Sequence, residues 1–186
     1  MPPHPSTTGT VVSVSRSPIH GFSKDPVAEI NILANHGVEG DAHAGPLVQH
    51  LYRVRKNPKA PNLCQVHLLP EELFAELRAE GLEVAPGQMG ENITVRGLNL
   101  IDLPVGALVH LGSTAVVEIT GLRDPCNQLN GLRKGLMKAC FARDADGTLL
   151  RKAGVMATAK VSGPVRPGDL ITIHHPPHPW TKMTPV

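Results

Sequence analysis

The sequence is short of cysteine, aromatic rings and net charge, and each shortage removes a class of function. Only three cysteines occur in 186 residues, Cys64, Cys126 and Cys140. An odd number at wide spacing completes neither a disulfide framework, nor a four-thiolate zinc site, nor a four-cysteine iron–sulfur cluster within the chain. Electrons for any redox work must therefore come from elsewhere. One Trp, one Tyr and three Phe give no base-stacking platform, and a formal charge of +2 without a Lys/Arg tract gives no electrostatic case for nucleic acid. No apolar run approaches membrane-spanning length, and the start lacks a basic segment followed by an apolar stretch. A cytoplasmic protein with no membrane partner is expected.

What is present points to many turns. Eighteen Gly and eighteen Pro lie between short apolar runs, a pattern of short strands that favours a β-rich barrel over a helical bundle. Hydrophobic content of 41% with 18% charge fits one domain with a substantial core. Strands are expected near Gly9–Ser15, Ala28–Ala34, Gln65–Leu69, Asn92–Arg96, Leu108–Leu111, Ala115–Thr120, Gly154–Val161 and Asp169–Ile173. Pro70–Glu80 reads as a helix, with Pro in its first turn, Glu71 and Glu72 at its positive end, Leu73, Phe74 and Leu77 as its apolar stripe, and Gly81 as its stop. A second helix is expected over Asn127–Ala142, followed by a tight turn at Asp146–Gly147. Residues 1–8 and 174–186 read as flexible tails flanking a domain over 9–173, the second tail rich in Pro and His. The one basic cluster, Arg53, Arg55, Lys56 and Lys59 in Pro46–Pro61, is either a solvated loop or a lid carrying cations over an anionic ligand.

Four stretches carry residues suited to chemistry. Cys126 follows an extended run, Ala115–Ile119, and precedes Leu129, Leu132, Leu136 and Cys140 at helical spacing. Free N–H groups at a helix start, with Arg123 beside them, would favour the thiolate, the nucleophilic and metal-binding form; the alternative is a small buried hydrophobe. Gly37–Gly45 places three glycines around Asp41 and His43, and Asp41 either caps this turn or serves the site. Pro86–Val95 sets Glu91 and Asn92 at the mouth of a strand. Glu91 is a proton donor if burial raises its pKa, whereas Asn92 is either a buried amide tying strands together or a support to the site. Pro167–Ile171 is a turn opening the last strand. Cys140 belongs to the apolar stripe of the second helix.

These stretches, in this order, resemble the MOSC family, named after the C-terminal domain of molybdenum cofactor sulfurase. The resemblance rests on Gly40-Asp41-Ala42-His43, Pro86-Gly87 through Gly90-Glu91-Asn92, Gly97-Leu98-Asn99-Leu100, Pro125-Cys126 and Gly168-Asp169, and spans Gly9 to Ile173. It implies a closed, mostly antiparallel β-barrel of the MOSC or pyruvate-kinase-barrel kind with a few flanking helices. It also implies a molybdenum cofactor, molybdopterin, whose metal is bound by Cys126. Arg123, His43, Asn92 and Asp124 would then contact cofactor or substrate, and Asp41 or Glu91 would supply protons. The activity implied is reduction of small N-hydroxylated molecules with electrons from a separate reductase. A persulfide carrier on Cys126 and a cofactor-delivery module without turnover are the alternatives. One departure stands out: the family often has Arg before the Gln-Val strand, and this chain has Cys64, which lacks a guanidinium's fork of donors.

Overall fold

Alternation of apolar and polar residues is clearest in Leu170–His174, where only Ile171 and Ile173 are buried, as a half-buried strand requires. The computed structural model describes residues 7–186. In chain order the strands are β1 (Thr8–Arg16), β2 (Asp25–Val27), β3 (Ile30–Leu33), β4 (Gly37–Val38), β5 (Val66–Pro70), β6 (Ile93–Arg96), β7 (Leu108–Leu111), β8 (Ala115–Leu122), β9 (Phe141–Arg143), β10 (Leu149–Arg151), β11 (Val155–Val161), β12 (Gly163–Val165) and β13 (Leu170–His174). The helices are α1 (Leu51–Lys56), α2 (Glu72–Ala79), α3 (Gln128–Leu132) and α4 (Leu136–Ala139).

Seven strands close a mixed barrel in the order β13, β7, β8, β11, β5, β6, β1, and β1 returns to β13 through Gly9↔Ile171. Every neighbouring pair is antiparallel except β5 and β6, which run parallel at Leu68↔Ile93 because α2 carries the chain across between them. Closure removes the free sheet edges that an open sheet would expose. Side chains such as Val11, Leu68, Ile93, Val117, Ile119 and Ile171 fill the interior, each contributing about 1.5–3 kcal/mol by leaving water. A second apolar cluster joins Leu73, Phe74 and Leu77 of α2 to Met89, Leu129, Leu136 and Cys140. It roots the helical side of the molecule against the strand end that leads to Cys126.

Several expectations need correction. Pro70 ends β5, paired with Val95, so α2 starts at Glu72. The single helix expected over Asn127–Ala142 is two short ones: Arg133 is extended and Gly135 takes a left-handed φ of 92°, which breaks the helical path. Phe141–Arg143 then pairs with Leu149–Arg151 around the Asp146–Gly147 turn. The basic segment holds α1 within a flap closed at its base by Leu47↔Pro61 and by Asn62 N–H donating to Pro46 O at 2.9 Å. Residues 174–186 lie along the barrel, with Met183 only 4% exposed and Leu122 N–H donating to Thr184 O at 2.9 Å. Sequence periodicity missed this strap because one apolar anchor among prolines makes no pattern. The tail expected over 1–8 falls outside the described residues except Thr7 and Thr8, and Thr8 opens β1. Among the described residues no helix is long and apolar enough to cross a membrane.

Candidate functional site

The glycine-rich turn after β4 buries Asp41 and uses all of it. Asp41 Oδ2 accepts from Ser17 N–H (3.2 Å), Asn92 Nδ2 (3.1 Å) and the Lys24 ammonium (2.8 Å), while Oδ1 accepts from His43 N–H (2.9 Å). His43 Nδ1 lies 3.4 Å from the same Oδ1. Burial opposes ionisation of this carboxyl, but the His43 and Lys24 contacts outweigh burial and hold it well below the usual carboxylate range. Lys24 shows the converse: burial lowers its pKa and Asp41 resists. Both oxygens of this carboxylate are thus engaged by neighbouring donors.

Asn92 stands just before β6 and is spent on architecture. Its Oδ1 accepts from His67 N–H at 3.1 Å, and its Nδ2 also reaches Ser15 O at 3.2 Å. It thereby ties β1, β5 and the Asp41 turn together. Glu91 is wholly buried; Oε1 accepts from Gly87 N–H (2.6 Å) and Thr94 Oγ1 (3.1 Å), and Oε2 has no hydrogen-bond partner among the described residues. Burial pushes its pKa up, and its contacts with Gly87 and Thr94 oppose that shift. It does not line the cavity described next.

That cavity, about 450 Å³, has walls that include His20, Phe22, Lys24, His43, His50, Tyr52, Arg55, Cys64, His67, Asn92, Arg123 and Gln128, a size suited to a small molecule. Arg123 enters from the end of β8, its guanidinium over the Phe22 ring at 5.4 Å. Its Nη1 is buried and has no hydrogen-bond partner among the described residues. Burial lowers the guanidinium's pKa, countered by Cys126, Cys140 and Glu91. A buried cationic donor left unbonded is costly, so the site favours a ligand that brings an acceptor, best an anion.

Cys126 is half-buried where β8 gives way to α3, and its Sγ is 3.6 Å from Oε1 of Gln128, which lines the cavity. Cys140 packs in the helical cluster, where burial raises its pKa to about 11, in keeping with a core thiol. Asp124 pairs with Arg151 at 2.8 Å and is absent from the cavity walls. Of the expected site residues, then, the fold gathers His43, Asn92 and Arg123 on the cavity with Cys126 adjoining it. Asp41 stands behind them, and Glu91 and Asp124 lie apart.

Sequence reasoning passed over four groups. Lys24 and His20 sit in the β1–β2 connection. His67 is on β5, its Nε2 2.8 Å from Ala153 O, and burial followed by the Arg123 charge holds its pKa well down. His50 opens α1, with Nδ1 buried and without a hydrogen-bond partner among the described residues, and burial with nearby cations lowers its pKa to about 4. An imidazole amid the buried run Val66–Leu69 was the one readable signal. Rings of His20, His43 and His50 adjoin, at centroid distances of 5.2 and 4.5 Å, yet no group of three or more His, Cys, Asp or Glu among the described residues is arranged to hold a metal ion. A larger groove of about 750 Å³ lies along α2, where Arg96 pairs with Glu71 and Arg78 with Glu83.

Solved structures share the architecture. The YuaD protein from Bacillus subtilis superposes with a TM-score of 0.73 at 20% identity, covering 91% of this chain and 97% of its own. YiiM from Escherichia coli gives 0.62 at 21%, covering 95% and 74%, and YiiM from Geobacillus stearothermophilus 0.56 at 22%, covering 90% and 73%. At such identities the likeness speaks for the fold. No curated protein matches the chain. The sequence model of the MOSC domain matches residues 40–172, from the turn that presents Asp41 and His43 to the middle of β13, and the chain belongs to the MOSC domain family.

Proposed function

We propose that this cavity binds the molybdenum cofactor, and that the protein uses it to reduce small N-hydroxylated molecules with electrons from an external reductase. The observation that carries the reading is the buried, unpartnered Nη1 of Arg123 on a cationic cavity that Cys126 adjoins. The residues fit such a group. Cys126 offers a soft thiolate ligand for the metal, and Arg123 and Arg55 offer guanidinium forks for the pterin's phosphate. Arg55 on α1 supplies a cation from the flap that β5 lacks with Cys64 in its approach, so the departure at Cys64 moves the positive charge without abolishing it.

When bound, the molybdenum centre would supply two-electron cleavage of an N–O bond, with the balance R–NH–OH + 2e⁻ + 2H⁺ → R–NH₂ + H₂O. The chain's own contribution is positioning. Asp41 orients His43, leaving Nε2 as the ring nitrogen not engaged by the carboxylate and the candidate atom for proton exchange with a ligand. Lys24 and Asn92 fix Asp41, and the flap narrows the mouth.

The test is turnover of a hydroxylaminopurine by cofactor-loaded protein, driven by reduced methyl viologen. Wild type should consume it, Cys126→Ser should lose nearly all activity, and Arg123→Met should lose about tenfold to a hundredfold in kcat/KM. Full activity in Cys126→Ser would contradict the assignment.

A further inference from the structure

The rim of the cavity differs from the rest of the surface. Tyr52 (66% exposed) and Leu51 (56%) line one side, and exposed Ile19 (71%) precedes His20 on the other; His20 Nε2 joins the two sides through its 3.0 Å contact with Gln49 O. Along the flap the charge has one sign: the chain carries no carboxylate from Ala42 to Pro70. Arg53, Lys56 and Lys59 form no ion pair among the described residues. Lys56 instead covers the Tyr52 ring, 4.6 Å from its centroid. α1 buries none of its residues, whereas a surface helix ordinarily buries an apolar stripe.

An apolar centre of Tyr and Leu with an unpaired cationic rim has the composition of a protein interface, and a rim of one sign steers a partner of the other. We propose that this lip is the docking surface for an acidic electron-carrier protein, which is oxidised by two electrons per turnover while the substrate N–O bond is cleaved. The carrier's task rests on the cofactor reading above; the acidic face required of it follows from the lip alone. An anionic bilayer would meet the same cations. However, α1 is only six residues long, under two turns, which gives no continuous apolar stripe of the kind by which an interfacial helix lies in a membrane surface.

The test uses the full chain in cells, with Tyr52→p-benzoylphenylalanine as a photo-crosslinker and the adduct identified by mass spectrometry and then purified. The expected adduct is an acidic protein bearing a flavin, haem or iron–sulfur group. Its affinity should fall about tenfold or more in R53E/K56E/K59E and steeply with salt, less in R53Q/K56Q/K59Q, and not at all in K134E/K138E/R143E. None of the flap substitutions touches a buried residue, and circular dichroism verifies the fold. An adduct without a redox group, an affinity indifferent to the reversal, or no protein adduct would overturn the proposal. So would reversal-sensitive sedimentation of the wild type with phosphatidylserine vesicles in place of a protein adduct. Because binding is read on protein without cofactor, failure here is separable from failure to find molybdenum.

Discussion

With Lys24, Ser17, Asn92 and His43 all bonded to it, the Asp41 carboxylate cannot be neutralised without stranding a charge. Its side chain is fully buried and that of Lys24 is 4% exposed. Asp41→Asn should therefore cost about 3–5 kcal/mol in urea unfolding, and adding Lys24→Met should recover part of it; a loss below about 1 kcal/mol would mean the pair is dispensable. His50 gives the pH dependence. Its pKa is depressed to about 4 from 6.5, so its contribution is present above about pH 6.5 and lost as pH falls through 4. The loss is on the order of 3 kcal/mol. A pH series of unfolding should show a shallower acid decline in His50→Phe than in wild type. The glycine turn announced Asp41 and His43 because three glycines around an acid and an imidazole are legible locally. Lys24, His20 and His50 were not, since what makes them special is the approach of segments far apart in the chain.

The elements that deliver the site are held by contacts that secondary-structure periodicity does not record. β8 runs into Arg123 and Cys126, and the strap of residues 181–186 clamps its end: Val186 N–H donates to Leu122 O at 3.2 Å. Gly121 leaves no room for more, as an added Cβ would meet Thr184 O at 2.5 Å and Val186 Cγ1 at 2.6 Å. Gly121→Ala should destabilise by about 1–3 kcal/mol. It should also raise amide exchange over 122–126, whereas Gly131→Ala, within α3 and with open space around it, should leave that exchange unchanged and raise stability by about 0.5–1 kcal/mol. The seven barrel strands and β3 were legible from alternation and β-branched content, β7 at its observed bounds Leu108–Leu111, whereas the short β2, β4, β9, β10 and β12 were not. The break between α3 and α4 was not, because Leu129, Leu132 and Leu136 keep helical spacing across a Gly135 that departs from helical backbone.

At the scale of the molecule, the barrel is a rigid frame with one chemically loaded end. Closure through β1 and β13 and the covering helices leave the β4–β5 flap, the β1–β2 connection and the end of β8 to converge on the cavity. The barrel class followed from turn density and strand length, and the family from ordered motifs. The parallel β5–β6 pair and the cationic lip required the assembled chain. The central claim is that the cavity holds a molybdenum–pterin group through Cys126. It is tested most directly by metal analysis and oxidised-pterin fluorescence on protein from a host that makes the cofactor, with Cys126→Ser and Arg123→Met alongside. Stoichiometric molybdenum and pterin in wild type, loss of the metal in Cys126→Ser and reduced loading in Arg123→Met are predicted. Absence of both from wild type despite verified cofactor supply, or undiminished molybdenum in Cys126→Ser, would contradict it.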